Sequence, residues 1–337
     1  MIRSLLACCL SLAAVMAGEV LGPHQGTVVM ADRVMANVWI LSETTDGLVA
    51  TLDDRRDSPS SPFERKRYLR VDYTTPREVS WLRGDGLAGK GQWLEAAALF
   101  LESTTKKDTW YTRESAYLRA AEAFVLAGKP DEAIKAIDAL LAINPKSAPL
   151  VRLTYLRGQS LARKGDSAGA LKAFGELARR SDIEALSLGA LGQGELFTAE
   201  ARHDEAAKAL AAAFTKLDPA KHTALFGQIG VALAAAQQAA GQAEPAIATL
   251  RRLAYGAADG PTRARAQLAW ARLLAATEAT LFEAFDHAVI ALSARDGGAA
   301  ATEAGPLVRQ LVQRIDKLPE AQLSGELKAE YRRYLSR

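Results

Sequence analysis

The chain has 337 residues, of which 49% are hydrophobic and 24% are charged, and its formal net charge is +3. This composition predicts a packed core and excludes a disordered chain. The nearly balanced charge predicts no strong attraction to nucleic acid or to an anionic membrane surface. The length fits one large or two ordinary domains.

The first residues have the pattern of an export signal. Arg3 is followed by an apolar run from Leu5 to Val15, and Val15 and Ala17 place small residues where a signal peptidase reads them. The run is too short to span a bilayer, and no later segment is long and apolar enough to do so. We therefore expect residues 1–17 to be a signal peptide and the protein to act in the periplasm or cell envelope. A lipoprotein attached through Cys8 is the alternative, but almost no apolar residues precede that cysteine.

Both cysteines of the chain, Cys8 and Cys9, lie inside this predicted signal. The exported protein would then have no disulfide and no thiolate, so its fold would depend on its core alone. The same absence removes cysteine nucleophiles and cysteine metal ligands from the functions to be considered.

The segment after the signal predicts a small antiparallel β module within residues 18–76. Four short stretches are rich in β-branched and aromatic residues, Asp46-Gly47 is a hairpin turn signal, and residues 53–65 have the composition of a loop. The pattern is compatible with an SH3-like meander. About fifty residues are marginal for independent stability, so we expect the module to dock on the first helices. The four predicted strands are 27–30, 34–41, 48–52 and 68–73.

A repeat occupies most of the remaining chain. Six places read as a small residue, four variable residues and an alanine, and successive leading residues are 36 to 40 positions apart. In five of them a large apolar residue follows four places after the alanine, which puts both on one helix face. Another small residue precedes most leading positions by seven. Each unit therefore predicts two helices joined by a tight turn. The six pairs are Gly91 and Ala96, Gly128 and Ala133, Gly165 and Ala170, Ala201 and Ala206, Gly241 and Ala246, and Ala279 and Ala284.

The second unit, "AAEAFVLAGKPDEAIKAIDALLAINP" at 120–145, resembles the tetratricopeptide repeat. Ala121, Phe124, Gly128, Ala133 and Pro145 all fall at the spacing of that family. The resemblance implies a mainly α fold, a right-handed α-solenoid of about six helix pairs over residues 77–298. The period is longer than the usual one of the family, which predicts extra residues in the turns between repeats.

The stretch "GDGLAGKG" at 84–91 has a second interpretation. It spells G-x-x-x-x-G-K, the phosphate-binding loop of nucleotide-binding proteins. That loop needs Ser or Thr after Lys90, where this chain has Gly91, and it needs a strand before it. Because Gly84 and Gly91 also occupy repeat positions, we expect a turn between two helices.

Residues 299–337 predict two further helices, near 303–317 and 320–336. The final stretch "GELKAEYRRYLSR" is polar on most faces. A repeat array needs such a cover over its last apolar face, so we expect this region to be the C-terminal cap.

Few residues suggest chemistry. The four histidines show no metal-ligand spacing, and His203-Asp204-Glu205 lies where a helix is predicted to start. Asp53, Asp54 and Asp57 lie in the predicted loop and are expected to be solvated. No cofactor or metal is predicted, and we expect a protein that is not an enzyme.

The resemblance implies that the first helix of each pair lines a concave groove that binds a protein or peptide. The mixed charges of the groove positions fit a polar peptide of a cell-envelope partner. The alternatives are an envelope enzyme with a site in or beside the β module, and a structural envelope protein that self-assembles; homo-oligomerisation is left open. The implied groove positions are Asp85, Glu122, Arg152, Tyr155, Gln159, Arg163, Glu195 and Gln228.

Overall fold

The computed structural model describes residues 23–30, 32–52, 59–68, 70–74, 79–105, 110–257 and 259–336. The predicted signal peptide and the three loop aspartates, at positions 53, 54 and 57, lie outside these residues. The chain divides into two compact units, residues 1–173 and 174–337, here called unit 1 and unit 2. That division falls inside the helical repeats.

The described part of unit 1 opens with an antiparallel sheet, in which five strands lie in the order β4-β3-β2-β1-β5. Alternate side chains of the central strands, such as Val28, Val38 and Ile40, are buried on one face, as period-two patterning predicts. A short 3-10 turn at Arg65–Arg67 precedes the last strand. The strands are β1 (His24–Val29), β2 (Val34–Glu43), β3 (Gly47–Thr51), β4 (Ser61–Glu64) and β5 (Arg70–Tyr73).

Strand β4 corrects the prediction of an uninterrupted loop at 53–65. Phe63 lies opposite Leu48 in the ladder and packs against the core of the sheet. Pro62 lowers the strand propensity of this stretch, yet it is tolerated because β4 is an edge strand. Pairing with β3 decides the conformation here, and composition alone does not reveal it.

The helices follow in consecutive pairs. The predicted mainly α fold, six helix pairs after a small antiparallel sheet, is confirmed. In unit 1 the helices are α1 (Val79–Ala88), α2 (Trp93–Thr104), α3 (Trp110–Leu126), α4 (Pro130–Ile143), α5 (Leu150–Arg163) and α6 (Ser167–Ala178), the last of which continues past the unit boundary. In unit 2 they are α7 (Ile183–Ala199), α8 (His203–Phe214), α9 (Thr223–Ala239), α10 (Ala243–Gly256), α11 (Gly260–Leu274), α12 (Leu281–Leu292), α13 (Gly298–Asp316) and α14 (Gly325–Arg332).

The turns inside the pairs explain the repeated small residue. Five of the six leading positions have a positive φ, between 58° at Ala201 and 81° at Gly165. At the first of them, the N–H of Gln92 donates to the carbonyl of Leu87 and that of Gly91 to the carbonyl of Ala88, which closes α1 with a Schellman-type motif. The stretch 84–91 is thus the end of one helix and a turn, without the preceding strand that a phosphate loop requires.

The helix crossings explain the other small residues. The six repeat alanines are fully buried, as are Phe100 and Leu210 in the layer beside them. A Cβ added to Gly84 would lie 2.9 Å from Cε1 of Phe100, and one on Gly194 would lie 2.6 Å from Cγ of Leu210. Since such distances are below van der Waals contact, these helices approach too closely for any larger side chain.

The end of unit 2 packs aromatic rings over the sixth pair. Phe285 of α12 meets Tyr331 of α14 edge-on at 4.9 Å and Tyr334 at 5.2 Å. Arg332 donates to Asp316 at 2.8 Å, which ties the last helix to α13. The second of the two C-terminal helices is shorter than predicted, since it begins at Gly325 after an irregular segment.

Candidate functional site

A row of charged side chains crosses the first helices of unit 1. Arg119 of α3 donates to Asp85 of α1 at 2.8 Å and to Glu122, one turn further along α3, at 3.2 Å. Glu122 in turn accepts from Nε of Arg152 on α5 at 3.2 Å. Three of the eight predicted groove positions, Asp85, Glu122 and Arg152, therefore lie in one continuous network, here called the charged row.

Arg119, which links the row, is not among the positions that the sequence predicts. It lies three residues before Glu122, which is one repeat of 37 residues after Asp85, so the i, i+3 spacing on the helix could have found it. Burial by itself would lower the pKa of Arg119, but its hydrogen bond and its charge pairing with Asp85 raise the pKa overall. The guanidinium is therefore cationic at every physiological pH.

The charges of the row alternate in sign from α1 to α5. All four side chains remain partly exposed, so each ion pair contributes little to stability, about 0–1 kcal/mol. Such pairs exchange at low cost for equivalent pairs with another molecule. The row is therefore suited to a polar partner with mixed charges and is a poor match to a uniformly charged one.

The three remaining unit 1 positions have different surroundings. Gln159 donates to the hydroxyl of Tyr155 at 2.9 Å, and Tyr155 is buried, so only the glutamine is accessible. Arg163 donates through Nη1 to the backbone carbonyl of Val125 at the end of α3. This bond gives Arg163 a structural role and makes it a poor reporter of partner binding.

The last two predicted positions belong to unit 2. Glu195 on α7 and Gln228 on α9 are both exposed on first helices of their pairs. Their part in partner binding stays a prediction, as it does for the six positions of unit 1.

A second cluster lies where the β module meets the helices of unit 1. Tyr73 of β5 stacks on Tyr111 of α3, with ring centroids 3.7 Å apart, and the buried ring of His24 packs against both. Thr44 pairs with Ser147 as an isolated β-bridge, which brings the end of β2 onto the turn between α4 and α5. The sheet thus docks on α3 and on this turn.

Two carboxylates in this junction are held by hydroxyl and amide donors. Glu43 accepts from the hydroxyls of Tyr68, at 3.1 Å, and of Tyr73. Glu114 is buried and accepts from Oγ of Ser147 and Nδ2 of Asn144, each at 2.6 Å. Because these acceptors are engaged with the protein itself, the arrangement is that of a docking contact.

The junction also perturbs its titratable groups. Burial raises the pKa of Glu114 and outweighs the hydrogen bonds from Ser147 and Asn144, which act in the opposite direction. Burial lowers the pKa of His24, whose Nε2 has no hydrogen-bond partner among the described residues. Burial therefore favours the neutral form of His24 in the folded chain.

The remaining candidate residues have structural roles. His203 begins α8, Asp204 accepts from Nε2 of Gln242 at 2.7 Å, and Glu205 pairs with Arg202. Over the described part of the chain, no group of three or more histidine, cysteine or acidic residues could hold a metal ion. None of the helices in these described residues is long and apolar enough to cross a bilayer.

Comparisons with known proteins agree with this architecture. Residues 115–147, which cover the end of α3 and all of α4, match the model of a family described as tetratricopeptide repeat. No curated protein matches the chain. Among solved structures, the C-terminal part of a TPR repeat-containing protein from Cytophaga hutchinsonii is similar, with a TM-score of 0.50 and 15% sequence identity over 76% of this chain and 93% of that one. At this identity the likeness concerns the fold alone.

Proposed function

We propose that this chain, which matches the tetratricopeptide repeat model over residues 115–147 and shares the fold of a TPR repeat-containing protein, is a non-enzymatic scaffold that holds a protein or peptide of the cell envelope against the first helices of its repeats. The repeat family supports protein binding in general. The observation that carries the finer proposal is the charged row, because it places Asp85, Glu122 and Arg152 of three successive first helices side by side.

The physical basis of binding is the sum of many modest contacts on a preorganised surface. Each charged pair of the row is weak in water, but the helices that carry the side chains are fixed by buried crossings. Binding of a partner along the row would therefore cost little free energy for ordering the scaffold. It would replace ion pairs within the row by ion pairs across the interface.

Site-specific crosslinking in the native host tests the proposal. A photoreactive residue at position 152, where Arg152 is half-exposed, probes the row directly. The matched control is position 172 on α6, where Lys172 is exposed and takes part in none of the contacts of the row. We expect one dominant partner to be captured from position 152 and not from position 172. Equal capture from both, or none from position 152 in the folded protein, would contradict the proposal.

The location in the cell envelope belongs to the same proposal and rests on the N-terminal pattern. It is tested by sequencing the N-terminus of the protein purified from the periplasmic fraction of the host. We expect the mature chain to begin at Gly18. A chain that retains Met1 and fractionates with the cytoplasm would remove the envelope part of the proposal and leave the scaffold part standing.

A further inference from the structure

A cleft of about 460 Å³ opens in unit 2 between α11 and α12, next to the end of α10. Its volume falls in the range of about 300–1,000 Å³ that is usual for ligand sites. The cleft lies outside unit 1 and shares no residue with the charged row. Substitutions in the cleft can therefore be made without changing any residue of the row.

Part of the lining of the cleft is apolar. It includes Ala264 of α11 with Val289 and Ile290 of α12. Ile290 is 49% exposed, and Tyr255, which follows the lining residue Ala254, is 73% exposed. Large apolar side chains are therefore exposed both in the cleft and one residue beyond its lining, which favours an occupant longer than a small molecule.

Gln267 supplies a hydrogen-bond donor from inside the cleft. Its side chain is 5% exposed, and its Oε1 lies 2.6 Å from Nδ1 of His287. Because an amide oxygen can only accept, His287 donates through Nδ1–H in this pair. The Nε2 group of Gln267 forms no hydrogen bond within the described residues and remains free for a ligand.

The charged residues of the lining favour an anion. Arg295 is exposed at the edge of the cleft and forms no ion pair within the described part of the chain. Arg263 also lines the cleft and donates to the carbonyl of Ala257 at 2.9 Å. The lining contains two guanidinium groups and one carboxylate, that of Asp296, so its net charge is positive.

We propose that this cleft binds a segment of a partner protein that carries an aliphatic and an acidic side chain near each other. The aliphatic side chain packs on Ile290 and Val289, and the carboxylate accepts from Arg295 and from Nε2 of Gln267. The exposed ring of Tyr255 contacts the continuation of the segment outside the cleft. The donor groups favour a carboxylate in the partner segment, and the apolar lining favours an aliphatic side chain beside it.

Short capped synthetic peptides test this proposal. One set combines leucine and glutamate at varied spacings, and the matched set has glutamine in place of each glutamate. Binding of a fluorescent version of the tightest peptide to the full chain is measured by polarisation. We expect the glutamate peptides to bind and their glutamine counterparts to bind at least about fivefold more weakly, because charge-assisted hydrogen bonds are lost.

Variants assign the binding to the cleft. We expect Arg295→Ala to weaken the binding of the glutamate peptide by about fivefold to tenfold. Ile290→Ser should weaken the binding of both peptide sets. The control is Arg265→Ala, which removes the same charge from an exposed position of α11 that does not line the cleft. Both arginines are exposed, so neither change should alter the melting temperature.

The proposal is overturned if no peptide binds, if glutamine and glutamate peptides bind alike, or if Arg295→Ala and Arg265→Ala have equal effects. Arg152→Glu in unit 1 should leave peptide binding to the cleft unchanged. Failure at the cleft and failure at the charged row can therefore be told apart.

Discussion

Arg163, the last residue of α5, donates from its guanidinium to the backbone carbonyl of Val125, near the end of α3. The two residues are 38 positions apart, which is one repeat. In unit 2, Arg314 of α13 donates in the same way to the carbonyl of Ala275 after α11, and Arg252 of α10 to that of Phe214 at the end of α8. In each case an arginine donates to a carbonyl in the last turn of a helix, or just after it, in the preceding repeat, where the backbone carbonyls lack the regular helical partner.

Arg163→Ala should therefore weaken the fold more than it changes partner binding. The loss of a charge-assisted hydrogen bond at a partly exposed helix end should cost about 1 kcal/mol of unfolding free energy. Urea denaturation of the purified protein measures the effect. Lys172→Ala, at an exposed position without such a contact, is the control and should leave the midpoint unchanged. Equal midpoints for both variants would show that the arginine contact does not stabilise the helix end.

The two glycines of α1 predict opposite effects of the same change. Gly84→Ala would place a Cβ 2.9 Å from the buried ring of Phe100 and should destabilise the fold by about 1–3 kcal/mol. Gly86→Ala meets no atom within 4 Å and should stabilise the helix by up to about 1 kcal/mol. Thermal melts of the two variants measure both effects. If both alanines shift the melting temperature in the same direction, the assigned crossing of α1 and α2 is wrong.

Ala201 has a φ of 58°, whereas the other four repeat turns with positive φ have glycine at this position. Ala201→Gly should relieve the strain of the left-handed conformation and stabilise the protein by about 0.5–1 kcal/mol, after the greater freedom of glycine in the unfolded chain is subtracted. Denaturant unfolding measures the gain. Ala212→Gly, at an exposed position inside α8, is the control and should cost about 1 kcal/mol. If Ala201→Gly lowered the unfolding free energy as much as Ala212→Gly does, the backbone at Ala201 would not be strained.

The docking of the β module should weaken as the pH falls. Burial lowers the pKa of His24 below its ordinary value of 6.5, so the unfolded chain takes up this proton first. The stability that depends on neutral His24 is complete above pH 6.5 and decreases as the pH falls through and below that value. Glu114 acts in the opposite direction, because its pKa is raised and its neutral form is favoured at low pH.

His24→Phe isolates the histidine from the other groups of the junction, which are Glu43, Tyr73, Tyr111 and Glu114. Melting temperatures measured from about pH 7.5 to about pH 5.5 should fall less steeply for the variant than for the native chain. His287 also has a lowered pKa and contributes equally to both proteins, so the difference between the curves reports on His24. Parallel curves would show that His24 does not couple docking to pH.

The helix pairs, their turns and the small residues at their crossings could be predicted because each depends on contacts within one repeat. A Schellman turn needs a residue that tolerates positive φ at one position, and Gly91, Gly128 and Gly165 supply it. Pro130 at the start of α4 and Asp166, which accepts from the N–H of Gly169, likewise mark helix ends through local hydrogen bonds and fixed dihedrals. The repetition of these local signals along the chain determined the architecture.

Only the tertiary structure decided the features that join distant residues. Pairing with β3 makes a strand of Ser61–Glu64, and Glu114 on α3 gains its partners from the turn before α5. Arg119 completes the charged row across 34 residues, and the α11–α12 cleft depends on how three helices pack. Such contacts depend on which surfaces meet once the helices are formed. Local propensity and periodicity do not predict which surfaces meet, because water can solvate the same charges and form the same hydrogen bonds.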